Sequence, residues 1–158
     1  MELEFNIIKE KNKSFKKEQN LIIVIKREKK LGRNILNHNE FINTLKSKFK
    51  KLSNKIVTFD NTITIQDQID LFSRATIIIA PHGAGLVNMI FSPNKTDIIE
   101  FIPDKYFVTC FKELANKLNH KHHLIKVCCD YNKNSSFNID INYVCNILTN
   151  ILKSKKLV

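Results

Sequence analysis

The chain has 158 residues and a formal net charge of +11, which predicts one domain with a sizeable core. No apolar run approaches the roughly 20 residues of a membrane span, so none is expected. The charge comes from 23 lysines and only three arginines, spread along the chain. Nucleic-acid surfaces gather basic residues on one face with arginine prominent, so we predict a solvated lysine surface and no nucleic-acid partner.

Residues 1–20 are highly charged and alternate weakly between apolar and polar positions, which predicts a short edge strand or a loose lead-in. The first residues lack a basic segment followed by an apolar one, so no signal peptide is expected, and the chain by itself predicts a cytoplasmic protein. We predict a Rossmann-like nucleotide-sugar-binding domain over 21–153 and a basic tail over 154–158.

Five short apolar segments alternate with five amphipathic ones along the rest of the chain. Strands are predicted at 21–25, 56–59, 76–80, 97–101 and 123–127, and helices at 40–52, 65–72, 86–91, 107–118 and 141–152. Thr64 is a plausible N-cap for the second helix, and the polar stretch 132–136 is predicted as a loop. This alternation predicts an α/β fold with a doubly wound, mainly parallel five-stranded sheet and helices on both faces.

Cysteines and histidines indicate no metal centre. The four cysteines have neither a C-x-x-C pair nor a histidine at a zinc-finger interval. Three of them lie in apolar patterns, so buried free thiols are predicted. The histidines at positions 120, 122 and 123 could in principle bind a metal, but they lie where a helix ends and a strand begins, and surface histidines are predicted there.

The segment from Pro81 to Leu86 is the most informative one, because it carries two of only three glycines in the chain, Gly83 and Gly85. It joins a buried strand to the start of a helix. In that arrangement backbone N–H groups can meet an anion, so a phosphate-bearing ligand is the first hypothesis. Two alternatives are an esterase oxyanion loop and a tight turn without any ligand. The esterase needs a G-x-S-x-G nucleophile elbow, which the chain lacks, whereas the empty turn stays open.

Neighbouring strand ends carry residues that suit a diphosphate. Arg27 follows the first strand and Arg33 comes soon after it, and arginine offers phosphate a bidentate fork that lysine cannot. His82 is predicted to donate to a phosphate or sugar oxygen. Glu100, near the end of the fourth strand, is predicted to accept from ribose hydroxyls.

The same stretches resemble the signature of the family 61 glycosyltransferases. The similarity lies in residues 67–91, in 98–101, and in the upstream Arg27 and 32–40, and it spans roughly residues 21–118. Two departures are Asp67-Gln68, where the family tends to have Glu-Gln, and the lack of a second arginine beside Arg33.

The resemblance implies a GT-B enzyme that transfers a sugar from a nucleotide sugar, often a UDP-sugar, with inversion and without metal or other cofactor. The acceptor would be a glycan or a protein. It implies that Gln68 fixes the second helix, whereas Asn88 either bonds the turn's own backbone or contacts the ligand. His82 is a possible catalytic base, although a donor contact is favoured. The implied donor-site residues are Arg27, Arg33, His82, Gly83, Ala84, Gly85, Leu86, Asn88 and, at the ribose or sugar, Glu100.

A GT-B enzyme has two Rossmann-like domains, and this chain resembles the C-terminal, donor-binding half. It would therefore act with a separate acceptor domain, or else be a non-catalytic nucleotide-sugar-binding module or a truncated remnant. Eukaryotic members of the family work in the endoplasmic reticulum or Golgi, and bacterial relatives are associated with surface polysaccharides.

Overall fold

A computed structural model describes residues 21–60, 62–131 and 134–158. The strands are β1 (Leu21–Ile25), β2 (Ile56–Phe59), β3 (Ala75–Pro81), β4 (Asp97–Pro103) and β5 (Lys121–Val127). The helices are α1 (His38–Lys48), α2 (Ile65–Ser73), α3 (Cys110–Lys117) and α4 (Ile141–Ser154), and 3-10 helices span Lys29–Leu31, Lys50–Lys55 and Ala84–Phe91. The lead-in predicted for residues 1–20 lies outside the described residues.

The five strands form one parallel sheet in the order β2-β1-β3-β4-β5. The predicted α/β architecture is therefore confirmed. The order reverses between β1 and β3, because the chain leaves β1 towards β2 but leaves β3 towards β4. In open parallel sheets the crevice at such a reversal, beyond the carboxyl ends of the strands, is where ligands bind.

Each face of the sheet has its own apolar core. Helices α1 and α4 cover one face through side chains such as Phe41 and Leu148. Helices α2 and α3 and the 3-10 helix Ala84–Phe91 cover the other, where Phe72, Leu86 and Met89 are almost fully buried. Residues that alternate along β1 and β3 divide between the two cores, which explains why these strands are apolar throughout.

Several predicted boundaries change in the structure. The segment predicted as a helix over 40–52 is α1 followed by a 3-10 helix, and the one predicted from Leu86 begins at Ala84 and is a 3-10 helix. Helix α3 begins only at Cys110, and Phe107 is 86% exposed. The predicted cap of α2 is confirmed, because the Thr64 side chain accepts a hydrogen bond from the Asp67 backbone N–H.

The predicted burial of three cysteines is wrong. Only Cys145 is buried, Cys129 is half-buried, and Cys110 and Cys128 are exposed, with all four thiols free. The reason is position within the elements: Cys110 starts α3, and Cys128 follows directly after β5. Burial raises the pKa of the Cys145 thiol, and nearby Lys48 lowers it by less.

Candidate functional site

Arg27 and Gly83 meet at the carboxyl ends of β1 and β3. The Arg27 guanidinium is held from behind, since its Nε donates to the carbonyl of Gly32 at 2.9 Å and its Nη2 to that of Leu31 at 3.2 Å. A Cβ placed on Gly83 would lie 1.8 Å from Arg27 Nη1. Gly83 also has φ 155° and ψ 177°, a combination essentially confined to glycine. Only glycine therefore fits between the guanidinium and the start of the 3-10 helix.

Arg33 brings a second guanidinium close to that of Arg27. Its backbone has a positive φ of 55°, and its N–H donates to the Asn134 carbonyl at 2.8 Å. Its guanidinium carbon lies 5.8 Å from the centre of the Tyr106 ring, within the range of a cation–π contact. Burial lowers the pKa of Arg27, and the positive charge of Arg33 lowers it further, while Tyr106 acts in the opposite direction. Among the described residues, neither guanidinium forms an ion pair with a carboxylate.

The 3-10 helix Ala84–Phe91 is secured by its own side chains. Leu86 is 1% exposed and packs in the core of that face. Asn88 Nδ2 donates to the Gly85 carbonyl at 3.2 Å, so in this structure Asn88 bonds the turn's own backbone, one of the two alternatives expected from the sequence. Ala84 is exposed at the start of the helix. Leu86 and Asn88 thus hold the turn in place, Gly83 is buried against Arg27, and Ala84 is exposed.

His82 belongs to a buried hydrogen-bonded cluster with Glu100 and His122. His82 Nδ1 lies 2.5 Å from Glu100 Oε1, and His122 Nε2 lies 2.7 Å from Glu100 Oε2. The side chains are 9%, 3% and 4% exposed, respectively. Burial raises the pKa of Glu100, but hydrogen bonds from His122 and His82 outweigh it, so this pKa lies below its ordinary value. Each Glu100 oxygen accepts from one histidine, and with its side chain only 3% exposed Glu100 presents almost no surface to a ribose hydroxyl.

The other end of β4 carries a second buried carboxylate, Asp97. His123 Nε2 lies 2.7 Å from its Oδ1, and Lys155 Nζ lies 2.7 Å from its Oδ2. Burial raises the pKa of Asp97, but hydrogen bonds from His123 and Lys155 bring it below the ordinary value. Lys155 also donates to the Lys95 carbonyl, so part of the predicted basic tail is tied to the sheet.

The prediction of surface histidines near the start of β5 is therefore wrong for His120, which is buried, and for His122, whose side chain is only 4% exposed, and His123 is engaged by Asp97. The cause for His122 and His123 is that β5 is paired with β4 along its whole length, which places these two rings against the buried carboxylates. His120 precedes β5, and its Nε2 lies 3.0 Å from the Met89 carbonyl. Within the described residues, no group of three or more histidine, cysteine or acidic side chains is arranged to hold a metal ion.

An open cleft of about 660 Å³ lies at the reversal point between β1 and β3. It is lined by Ile25 at the end of β1, by Lys26 and Arg27 directly after β1, and by Pro81 at the end of β3. The remaining walls come from residues 34–39 at the entrance of α1 and from Asp130, Asn134 and Ser136. The buried ring of His38 forms part of this wall, and its pKa is lowered by burial and then by the charge of Lys26.

The family model described as Glycosyltransferase 61 matches residues 2–99, more than half of the chain. The chain belongs to the glycosyltransferase 61 family. No curated protein matches the chain closely enough to be compared with it. The glycosyltransferase 61 match includes Arg27, Arg33 and the turn, whereas Glu100, Tyr106 and His122 follow its last residue.

Sequence reasoning missed several residues of this candidate site. Tyr106 and Phe111 contact the His82 ring edge-on, with centroids 6.3 Å and 5.1 Å away. Phe111 lies in the predicted helix 107–118, so its apolar character had another explanation, and Tyr106 directly precedes that segment. His122 could have been found only by aligning the polar positions of neighbouring strands on one face of the sheet. None of the described helices is long and apolar enough to cross a membrane.

Proposed function

We propose that this glycosyltransferase 61 domain binds the diphosphate of a nucleotide sugar, most simply a UDP-sugar, in the cleft between β1 and β3. The observation that carries the proposal is a pair of neighbouring guanidiniums that have no carboxylate partner among the described residues. Arg27 lies against Gly83, and Arg33 is close enough for its charge to act on Arg27. An anion of two or more charges would relieve the repulsion between them, and guanidiniums bind phosphate oxygens in a bidentate manner. Arg27 lines the cleft at the reversal point, where parallel sheets bind ligands.

The proposed reaction is transfer with inversion and without metal to a glycan or protein acceptor. An acceptor hydroxyl attacks the anomeric carbon of the donor, the bond from that carbon to the diphosphate breaks, and the hydroxyl proton passes to a base. Arg27 and Arg33 would stabilise the negative charge that develops on the leaving diphosphate. His82 is the candidate base among the described residues, because it lies beside the turn and its partner Glu100 can stabilise the charged imidazolium.

Calorimetry with UDP tests the donor site. Arg27→Ala removes a charge-assisted contact worth about 1.5–3 kcal/mol, so UDP should bind about 10- to 150-fold more weakly. Arg74→Ala is the matched control, since Arg74 lies at the amino ends of the strands, directly before β3, and pairs with Asp70 at 3.0 Å. Equal UDP affinity in the Arg27 and Arg74 variants would refute the assignment.

A turnover assay separates an enzyme from a binding module. The full chain, with and without a candidate acceptor, is incubated with UDP-sugars, and release of UDP is measured. Release that is lost in Arg27→Ala and retained in Arg74→Ala supports catalysis by this site. UDP binding without release from any donor would support the alternative, a nucleotide-sugar-binding module of the same fold.

A further inference from the structure

The His82–Glu100–His122 cluster crosses three neighbouring strands on one face of the sheet. The register pairs Ala80 with Glu100 and Ile98 with His122, so the three polar side chains follow a diagonal from β3 to β5. Only His82 of the three is next to the glycine turn. Glu100 on β4 and His122 on β5 lie progressively farther from the cleft between β1 and β3.

The hydrogen-bond pattern determines where the protons of this cluster lie. A carboxylate only accepts hydrogen bonds, so each ring nitrogen that faces Glu100 must carry a proton. His82 therefore donates through Nδ1 and His122 through Nε2. In a neutral His82 ring the other nitrogen, Nε2, then has a free lone pair and is a hydrogen-bond acceptor.

His122 is needed because a buried carboxylate has two oxygens to satisfy. With Oε1 facing His82 and Oε2 facing His122, the plane of the Glu100 carboxylate is held at both ends. Removal of one partner from a buried charged group leaves it unsatisfied at a cost well above that of an exposed bond. The carboxylate would then be free to rotate or to recruit water, and its hold on His82 would weaken.

The surroundings of the His82 ring contain few other groups that could set its orientation. Glu100 faces it from β4, Tyr106 faces it from the loop after β4, and the apolar Phe111 faces it from α3. The Arg27 guanidinium lies against the next residue, Gly83. Among the described residues, the hydrogen bond of the His82 ring is the bond to Glu100.

We propose that Glu100 and His122 are positioning residues that hold His82 in the tautomer protonated at Nδ1, so that its Nε2 accepts a hydrogen bond from a ligand hydroxyl. This differs from the role expected from the sequence, in which His82 donates to a phosphate or sugar oxygen and Glu100 itself contacts ribose. Phosphate recognition then rests on Arg27 and Arg33. The ligand hydroxyl in this inference depends on the proposed function, whereas the tautomer does not.

Long-range ¹H–¹⁵N NMR of the ligand-free full chain at slightly alkaline pH tests the tautomer directly, with the His82 signals assigned by their loss in His82→Gln. We expect a protonated Nδ1 and an unprotonated Nε2. A ring protonated at Nε2 alone, or at both nitrogens, overturns the inference. This measurement involves no nucleotide, so a failure of UDP to bind would refute the proposed function without touching this result.

Substitutions at His122 test its part in positioning. His122→Phe should convert the single His82 tautomer into a mixture, whereas His122→Gln, whose amide can still donate to Glu100, should restore it. His123→Gln is the matched control on the same strand, because His123 pairs with Asp97 instead. Backbone amide spectra identify variants that fail to fold. Unchanged His82 signals in a folded His122→Phe, or equal changes in the His123 control, contradict the role of His122.

Discussion

Substituting alanine for Gly83 should damage both the fold and the cleft, for two separable reasons. The backbone conformation, φ 155° and ψ 177°, costs a non-glycine residue about 1–3 kcal/mol. The new Cβ would also lie 1.8 Å from Arg27 Nη1, so the guanidinium must move away from its two carbonyl partners. Each of those hydrogen bonds contributes about 0.5–1.5 kcal/mol. We expect Gly83→Ala to lower the free energy of unfolding by about 2–6 kcal/mol.

Gly85→Ala is the matched control from the same turn. Its Cβ would approach the Ile25 Cγ2 at 3.0 Å, which a small shift of one methyl group accommodates at a cost of about 1 kcal/mol. Urea unfolding at constant pH measures both variants, and the m-value should be unchanged. Equal unfolding midpoints for the two variants would refute the claim that Gly83 is uniquely constrained.

A double-mutant cycle separates the two contributions. In an Arg27→Ala background the clash disappears, so Gly83→Ala should then cost only the backbone contribution of about 1–3 kcal/mol. The double variant is therefore expected to lose less free energy of unfolding than the sum of the two single losses. Strictly additive free energies would mean that the guanidinium does not occupy the space beside Gly83, and would undermine the proposed phosphate site as well.

Three further predictions concern the frame around the site. The folded-state pKa of Asp97 lies below the ordinary 3.8, so the unfolded chain takes up a proton first, and the stability that this group contributes above about pH 4 is lost as the pH falls further. The urea midpoint should therefore fall less steeply with acid in Asp97→Asn than in the wild type, and parallel curves would contradict this. A thiol reagent should label exposed Cys110 and Cys128 rapidly in the native protein but spare Cys145 until unfolding, and early labelling of Cys145 would show that its burial is wrong. Thr64→Ala should cost about 1 kcal/mol through loss of the helix cap, Thr64→Ser should retain most of it, and indistinguishable melting of both would argue against the cap.

Most of the fold was predictable from local patterns in the sequence. All five strands were predictable because each is a short aliphatic segment, and the helices because their apolar residues recur with helical spacing. The exceptions follow from short or mixed signals. The segment after Gly83 has only eight helical residues and closes as a 3-10 helix, in which the Leu86 backbone N–H donates to the Gly83 carbonyl three residues back. The start of α3 was misplaced because exposed Phe107 fits the helical spacing without being part of the helix.

The candidate site divides in a similar way. Arg27, Arg33 and the glycine turn were predictable because scarce residue types stood at predicted strand ends. The partners of His82 were not, because hydrogen bonds between strands depend on register and on strand order. The place of Glu100 at a strand end predicts a contact with ribose, whereas in the structure its carboxylate is buried and faces two histidines.

By itself, the sequence determined an alternating α/β chain, a strand–glycine–helix junction suited to an anion, and a resemblance to family 61 glycosyltransferases, which the family match confirms. These features are local, since each depends on residues close together along the chain. The tertiary structure alone decided the strand order that opens the cleft between β1 and β3. It also decided the approach of Arg27 to Gly83 and the buried pairing of His82, Glu100 and His122. Those contacts join residues far apart in sequence, and they exist only once the sheet has brought the strand ends into register.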